Sequence, residues 1–280
     1  MDQKCSVLMS VYQKEKAEYL SASLESMRNQ TVCPDEIVLV EDGPLNEGLY
    51  SAINTFDRKN PGLLRILKNE TNLGLGLSLQ KGVLECRNEL IARMDSDDLS
   101  RPYRLEHQLN RFAQEPGLSI CGGNIEEFTG DDLNAKVGIR EVPDSDAEIR
   151  TFMKKRCPFN HMTVMFRKSA VLSAGNYQHF LYNEDYLLWI HMAEAGCVFA
   201  NLNEILVDVR TEPDLYENRR GGNAYYQSEK GIQKILLEKK MISFPEYERN
   251  IAERFLLQKV MTPSLRAFVF RYFARTKTQK

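Results

Sequence analysis

Through its first hundred residues the chain alternates short apolar runs with segments whose apolar residues recur every three to four positions. That alternation restricts the fold more than any other feature. The run SVLMSV at 6–11 has the composition of a strand covered on both faces. Leu20, Leu24 and Met27 follow at i, i+4 and i+7, the spacing of an amphipathic helix. EIVLVE at 36–41 predicts a second buried strand, stopped by Asp42, Gly43 and Pro44. Leu49, Ile53 and Phe56 repeat the helical spacing, and 63–67 predicts a third strand. After a turn at 72–74, Leu75, Leu79 and Val83 predict a helix, and LIARM at 90–94 a fourth strand that runs into Asp95, Ser96, Asp97 and Asp98.

Strands joined by single helices require right-handed crossovers, which generate a parallel sheet with helices on both faces. Ligands of such sheets bind beyond the carboxyl ends of the strands. The residues at those ends are Ser10 and Tyr12, Glu41 and Asp42, Asn72, and the acidic run from Asp95 to Asp98. A functional crevice is expected along this edge.

The remaining pattern continues the mixture. Leu105, Leu109 and Phe112 predict a helix that ends near Pro116 and Gly117, and 118–142 reads as β structure turning at 130–132. Asp144 is placed to cap a helix, 162–166 reads as a strand, and 184–194 as a helix closed by Gly196. A strand is expected over 197–209, and helical pattern from Asn223 onward, interrupted at Pro245 and Pro263. Apolar residues at 42% and charged residues at 27% are those of a soluble globular protein. Thirty-seven Lys+Arg against 39 Asp+Glu leave a net charge of −2, so no basic field invites nucleic acid. No apolar run approaches the ~18 residues that cross a bilayer. The N-terminal MDQKCSVLMSVY lacks the pattern of a secretory signal. The six cysteines are spaced too widely for a CxxC or zinc pattern, so free thiols in a reducing cytoplasm are expected.

Asp95 and Asp97 carry the sharpest chemical signal. At i and i+2 of an extended segment, carboxylates share one face about 6.5–7 Å apart, an arrangement suited to hard cations such as Mg²⁺ or Mn²⁺. The plainer alternative is a solvated turn in which Asp98 or Ser100 caps the next helix. Gly74 and Gly76, with Asp95 some way downstream, invite a dinucleotide-binding fingerprint. The third glycine would fall at Leu79, however, and the motif follows the third strand rather than the first, which favours a tight turn opening a helix. Asn183, Glu184 and Asp185 stand at a helix N-terminus, where the dipole stabilises acids. They read either as caps or as a general base acting on a hydroxyl. His161 reads as a structural imidazole or a site member. The run Arg219, Arg220, Gly221 and Gly222 reads as an ordinary basic loop or as one that closes over a diphosphate.

Taken in order, SVLMSVY, EIVLVEDG, NLGLG, ARMDSDD, NHMTVMFRKSA and NEDYLLW resemble the inverting family 2 glycosyltransferases. The similarity spans residues 5–222 and is strongest to bacterial enzymes that build capsular and exopolysaccharide repeat units. It implies an α/β fold of GT-A type, a mostly parallel central sheet flanked by helices. A nucleotide-sugar-binding domain would occupy 1–222 and a helical extension 223–280. The resemblance implies Mn²⁺ or Mg²⁺ as cofactor. It implies uracil contacts from Ser10 and Tyr12, and base or ribose contacts from Glu41 or Asp42. Asn72, Gly74, His161, Arg219 and Arg220 would complete the donor site. Asp95 and Asp97 match the DXD motif, with Asp97 the chief metal ligand, and Asp185 matches the catalytic base supported by Glu184. Where processive synthases carry QxxRW, this chain continues from Asp185 as YLLW, which favours adding a single sugar. The reaction expected is inverting transfer from a UDP-sugar to a saccharide or lipid-linked saccharide in cell-surface polysaccharide biosynthesis. A Rossmann-type NAD(P)-dependent oxidoreductase is disfavoured by the missing third glycine. A non-catalytic nucleotide-sugar-binding module is disfavoured because the DXD acids and the base are all present.

Between Ser264 and Lys280 lie Arg266, Arg271, Arg275, Lys277 and Lys280 with no acid, interleaved with Phe268, Phe270, Tyr272 and Phe273. Such a segment is either a packed terminal helix with a basic end or an interfacial helix on an anionic leaflet. Because the acceptors of repeat-unit transferases are lipid-linked, the resemblance favours the second. A cytoplasmic protein that reversibly contacts the inner face of the cytoplasmic membrane is therefore expected.

Overall fold

The predicted alternation is realised in a computed structural model, which describes residues 4–211 and 222–262. The first half comprises β1 (Cys5–Val11), α1 (Ala17–Arg28), β2 (Glu36–Glu41), α2 (Glu47–Lys59), β3 (Leu64–Lys68), α3 (Leu75–Glu85) and β4 (Leu90–Met94). There follow β5 (Leu99–Ser100), α4 (Arg104–Gln114), β6 (Leu118–Thr129), β7 (Lys136–Arg140), α5 (Asp146–Met153), β8 (Met165–Arg167), α6 (Lys168–Ser173), α7 (Glu184–Glu194) and β9 (Val198–Thr211). Beyond the undescribed 212–221 come α8 (Asn223–Glu238) and α9 (Phe244–Phe255), the latter continuing into a π-helical turn at Leu256–Val260.

The strands are ordered β3-β2-β1-β4-β8-β6-β9-β5, with β7 attached to β6. The first four are parallel, Val7 pairing with Ile37 on one side and Ala92 on the other. β8 runs antiparallel to both β4 and β6, whereas β6 and β9 form a long parallel pair. The period of two along a strand divides the apolar residues between two cores. Val7, Met9 and Val11 join Leu20, Leu24, Leu49 and Ile53 on one face, and Leu8, Val38 and Val40 join Leu79 and Val83 on the other. Burial on both faces is why these strands read as unbroken apolar runs.

The second core extends to the C-terminal helices. Trp189 of α7 is fully buried with Phe159 and Tyr177 at its edges, and Ile232 and Leu236 of α8 belong to the same cluster. Polar ties join α9 to α8, Arg254 Nε donating to Glu229 Oε2 at 2.6 Å and Asn250 Nδ2 to Gln233 Oε1 at 2.8 Å, and Asn250 Nδ2 also reaches the body at the Lys154 carbonyl, 3.0 Å away.

Several local expectations are corrected. Ser145, not Asp144, caps α5, through a reciprocal capping box with Glu148. The segment expected as a strand over 162–166 begins as a 3-10 turn, His161–Thr163, and yields only the three residues of β8. The short helix α6 was not expected, because six residues are too few to display a period. Pro245 lies in the first turn of α9, where its missing N–H leaves no helical bond unmade, so it opens a helix instead of interrupting one. Neither Asp98 nor Ser100 caps α4, whose N-cap position is Tyr103. No helix among the described residues is long and apolar enough to cross a membrane.

Candidate active site

Beyond the carboxyl end of β4 the chain turns sharply through Asp95 to Asp98. Asp95, Asp97 and Asp98 each offer a carboxylate oxygen, and these oxygens lie within 4.8 Å of one another. The turn is fixed from three sides. Ser23 of α1 donates to the Asp95 carbonyl at 2.7 Å, and Ser96 Oγ donates to Glu15 Oε2 at 3.0 Å. From β9, the Arg210 backbone N–H donates to Asp98 Oδ1 at 2.9 Å and its Nε to the Asp97 carbonyl at 3.3 Å. The Arg210 guanidinium stacks 3.8 Å from the Tyr19 ring centroid. Burial and the charges of Asp97 and Asp95 push Asp98 well above the usual carboxylate range. Three carboxylates converging in so small a space fit a hard divalent cation, which oxygen ligands hold best and whose charge would offset theirs.

Arg93 connects this cluster to a second acidic pair. It lies two residues before Asp95, is 1% exposed, and its Nη2 hydrogen-bonds Asp95 Oδ1. The Arg93 carbonyl accepts from Arg104 Nη2 at 2.6 Å; Arg104 is itself buried, and burial with the Arg93 charge lowers it to about 9. The Arg93 charge also favours ionisation of Glu184 and Asp185 at the N-terminus of α7. Those acids occupy the first turn, while Asn183 before them directs its amide away, to Ser228 Oγ of α8 at 2.8 Å. Gly76 lets α3 approach this end of α7: a Cβ there would stand 2.7 Å from the Gln178 carbonyl oxygen and 3.1 Å from Glu184 Cβ. Packing, rather than phosphate recognition, thus accounts for the second glycine of NLGLG.

Burial raises Asp185, opposed by the Tyr186 backbone N–H, the Cys157 thiol, Arg93 and Arg140. Burial and the Asp185 charge push Glu184 up to about 7 from an ordinary 4.5. A carboxyl raised on folding costs nothing while both states are protonated, and stability is lost as the pH climbs from its unfolded toward its folded value. Glu184→Gln should therefore stabilise the protein by on the order of 2 kcal/mol at pH 8, a gain that shrinks toward zero near pH 4. Urea denaturation at both pH values checks this; an equal effect at both would contradict it.

At the other strand ends the expected residues gather on the same edge. Ser10 is half-buried and Tyr12 is 44% exposed. Glu41 and Asp42 are buried, and Lys68 Nζ approaches Glu41 Oε2 at 3.5 Å. The Asp42 carboxylate accepts from the backbone N–H groups of Leu73 at 2.7 Å and Gly74 at 3.0 Å and from Asn69 Nδ2 at 3.2 Å. It therefore anchors the turn that opens α3, in which Gly74 adopts φ +87°. Asn72 is exposed and donates to the Asp42 carbonyl at 3.3 Å. His161 pairs through Nε2 with Tyr177 Oη at 2.9 Å, and burial together with Arg93 keeps its imidazole neutral. Arg219 and Arg220 lie outside the described residues. A separate groove of about 710 Å³, lined by Val142, Asp144, Glu148 and Phe152 among others, lies on the outer side of α5 and contains none of these groups.

Arg93, Arg210 and Cys157 were not foreseen near these acids, and Asp98, though inside the expected acidic run, was weighed only as a helix cap. Asp98 would share the face of Asp95 and Asp97 only if the chain turned. Arg93 carried a readable signal, a cation inside an otherwise apolar strand.

A mostly parallel sheet with an acidic cluster at a strand end and a carboxylate pair at a helix N-terminus is the architecture expected of a GT-A fold. The model of "Glycosyl transferase family 2" matches residues 6–174, and the chain belongs to that family. It is 41% identical over 85% of its length to the amylovoran biosynthesis glycosyltransferase AmsE of Erwinia amylovora, covering 88% of that protein. It is 32% identical to the UDP-Gal:alpha-D-GlcNAc-diphosphoundecaprenol beta-1,3-galactosyltransferase of Escherichia coli, over 97% of each chain. Among solved structures, residues 1–349 of S. aureus TarS in complex with UDP-GlcNAc superpose with a TM-score of 0.63 at 16% identity. That match covers 96% of this chain and 75% of the other, and the chain spans 44% of a longer TarS structure.

Proposed function

We propose that this protein transfers a single sugar, with inversion, from a UDP-sugar to a lipid-linked saccharide during assembly of a cell-surface polysaccharide. The observation that carries the proposal is the pairing of the Asp95, Asp97 and Asp98 cluster with the Glu184 and Asp185 pair across one buried arginine. A leaving diphosphate and an attacking hydroxyl need opposite help, charge neutralisation and proton removal, and the two clusters supply them separately. The names of the AmsE and E. coli relatives support the biosynthetic context, and the latter also supports the UDP donor and lipid diphosphate acceptor.

In this reading Asp97, with Asp95, holds Mg²⁺ or Mn²⁺, which when bound would neutralise charge on the departing UDP. Ser10, Tyr12 and Glu41 or Asp42 contact the nucleoside, while Asn72, Gly74, His161, Arg219 and Arg220 complete the donor site. Asp185 accepts the proton of the acceptor hydroxyl as its oxygen bonds to the anomeric carbon and the bond to the diphosphate oxygen breaks on the opposite face. Burial raises Asp185 and makes it a stronger base than a solvated aspartate. Glu184 supports it as the adjacent partner. The basic aromatic segment 264–280, outside the described residues, would bring the domain 1–222 and the extension 223–280 to the inner membrane surface.

The test is a panel of nucleotide sugars with Mn²⁺ read by thermal shift, followed by turnover of the best binder and NMR assignment of the product anomer. One UDP-sugar should stabilise the protein and yield the inverted product. Stabilisation by NADH but by no nucleotide sugar, or a retained anomeric configuration, would overturn the proposal.

A further inference from the structure

Cys157 lies in the loop between α5 and β8, half-buried, with Sγ 3.4 Å from Asp185 Oδ2 and 3.6 Å from the Phe159 carbonyl oxygen. Both neighbours are acceptors, so the sulfur can serve them only as a donor. The loop is held in place, since Arg140 Nη2 donates to the Cys157 carbonyl at 3.2 Å. Burial and the Asp185 charge push the thiol well above its ordinary 9. It therefore stays protonated at neutral pH and is neither a nucleophile nor a metal-binding thiolate. Cys5, Cys86, Cys121 and Cys197 are buried and Cys33 is exposed.

We propose that Cys157 is a positioning residue for the base, its S–H holding Asp185 Oδ2 so that the other carboxylate oxygen is left to receive the acceptor's proton. The proposal rests on the reading of Asp185 as that base. The S–H bond is never broken. When Asp185 becomes protonated it needs the donor less, and the thiol proton can rotate toward the Phe159 carbonyl. Other groups also act on this carboxylate: Glu184 beside it on α7, Arg93 from β4, Arg140 from β7, Tyr177 from the segment before α7, and Tyr186. The two arginines favour the ionised form as the thiol does, so losing Cys157 should raise the Asp185 carboxyl further, leaving less of it ionised on the acid side, without abolishing its ionisation.

The experiment compares full-length wild type, Cys157→Ala, Cys157→Ser and Asp185→Asn in kcat and KM across pH 5 to 9. The donor is UDP-galactose or UDP-N-acetylglucosamine, whichever turns over, with a GlcNAc-diphosphate lipid as acceptor. Cys157→Ala should move the acid limb of kcat up by about half to one pH unit, lowering kcat about three- to tenfold on that limb with the donor KM unchanged. Cys157→Ser keeps a donor and should restore the wild-type limb. A Cys157→Ala profile that overlays wild type while Asp185→Asn is inactive would overturn the positioning role alone. Full activity in Asp185→Asn would overturn the base assignment and this inference with it. If the alanine variant fails to fold, the serine variant decides: a limb at or below the wild-type pH supports the role, and an upward shift overturns it.

Discussion

Asp185→Asn is expected to lower turnover by roughly 10²–10⁴-fold, the usual worth of a positioned general base. The amide conserves the volume of the carboxylate and can still accept from the Tyr186 N–H and the Cys157 thiol, so the start of α7 should keep its geometry. Only the ability to take a proton disappears. The loss should fall on kcat, because a group that acts in the transition state contributes little to binding the donor. Because α7 begins against α3 at Gly76 and against α8 through Asn183 and Ser228, the change has little room to propagate. Steady-state kinetics at saturating UDP-sugar check this, and a loss confined to KM would reassign Asp185 to donor binding.

Asp97→Asn should remove the stimulation of turnover by Mn²⁺, at limiting metal by at least about 10²-fold, since neutralising a leaving diphosphate is worth several kcal/mol. The fold should survive. The turn from Asp95 to Asp98 is held by Ser23, Arg210 and Glu15 through the Asp95 and Asp97 carbonyls, the Asp98 carboxylate and the Ser96 hydroxyl, and the amide conserves the volume of the Asp97 side chain. Taking one negative charge from three crowded carboxylates also relieves Asp98, whose ionisation Asp97 and Asp95 oppose. The variant should accordingly be at least as thermostable as wild type without metal. Undiminished activity at limiting Mn²⁺ would remove Asp97 from the metal site.

How much of this was legible in the sequence depended on how local the cause was. β1, β2 and β4 were readable because burial on both faces leaves an unbroken apolar run, and α1, α2 and α3 because one buried stripe imposes a period. The placement of Asp95 and Asp97 at a strand end, and of Glu184 and Asp185 at a helix start, was readable because the apolar run before the one and the period of the other are local signals. Asp98 was obscured by the same period of two that picked out its neighbours, since the turn that brings it round is fixed by Arg210, more than a hundred residues later. The Cys157 contact with Asp185 spans 28 residues and depends on how a loop crosses the start of a helix. No spacing rule encodes that. Likewise Asp42 reads as a free acid at a strand end, yet its carboxylate is occupied by the turn before α3, a partner that only the packing of β2 against that turn reveals. Even the cap of α5 was missed by one residue, because Asp144 and Ser145 are both good caps and only Ser145 has Glu148 three positions on.

The division of labour between the two acidic groups is the centre of this account, and calorimetric titration of UDP into wild type, Asp97→Asn and Asp185→Asn, with and without Mn²⁺, tests it most directly. Wild type and Asp185→Asn should bind UDP alike, both more tightly with Mn²⁺, while Asp97→Asn should lose the metal-dependent gain and retain the weak metal-free binding. Equal loss of UDP affinity in Asp185→Asn, or an intact Mn²⁺ effect in Asp97→Asn, would contradict it.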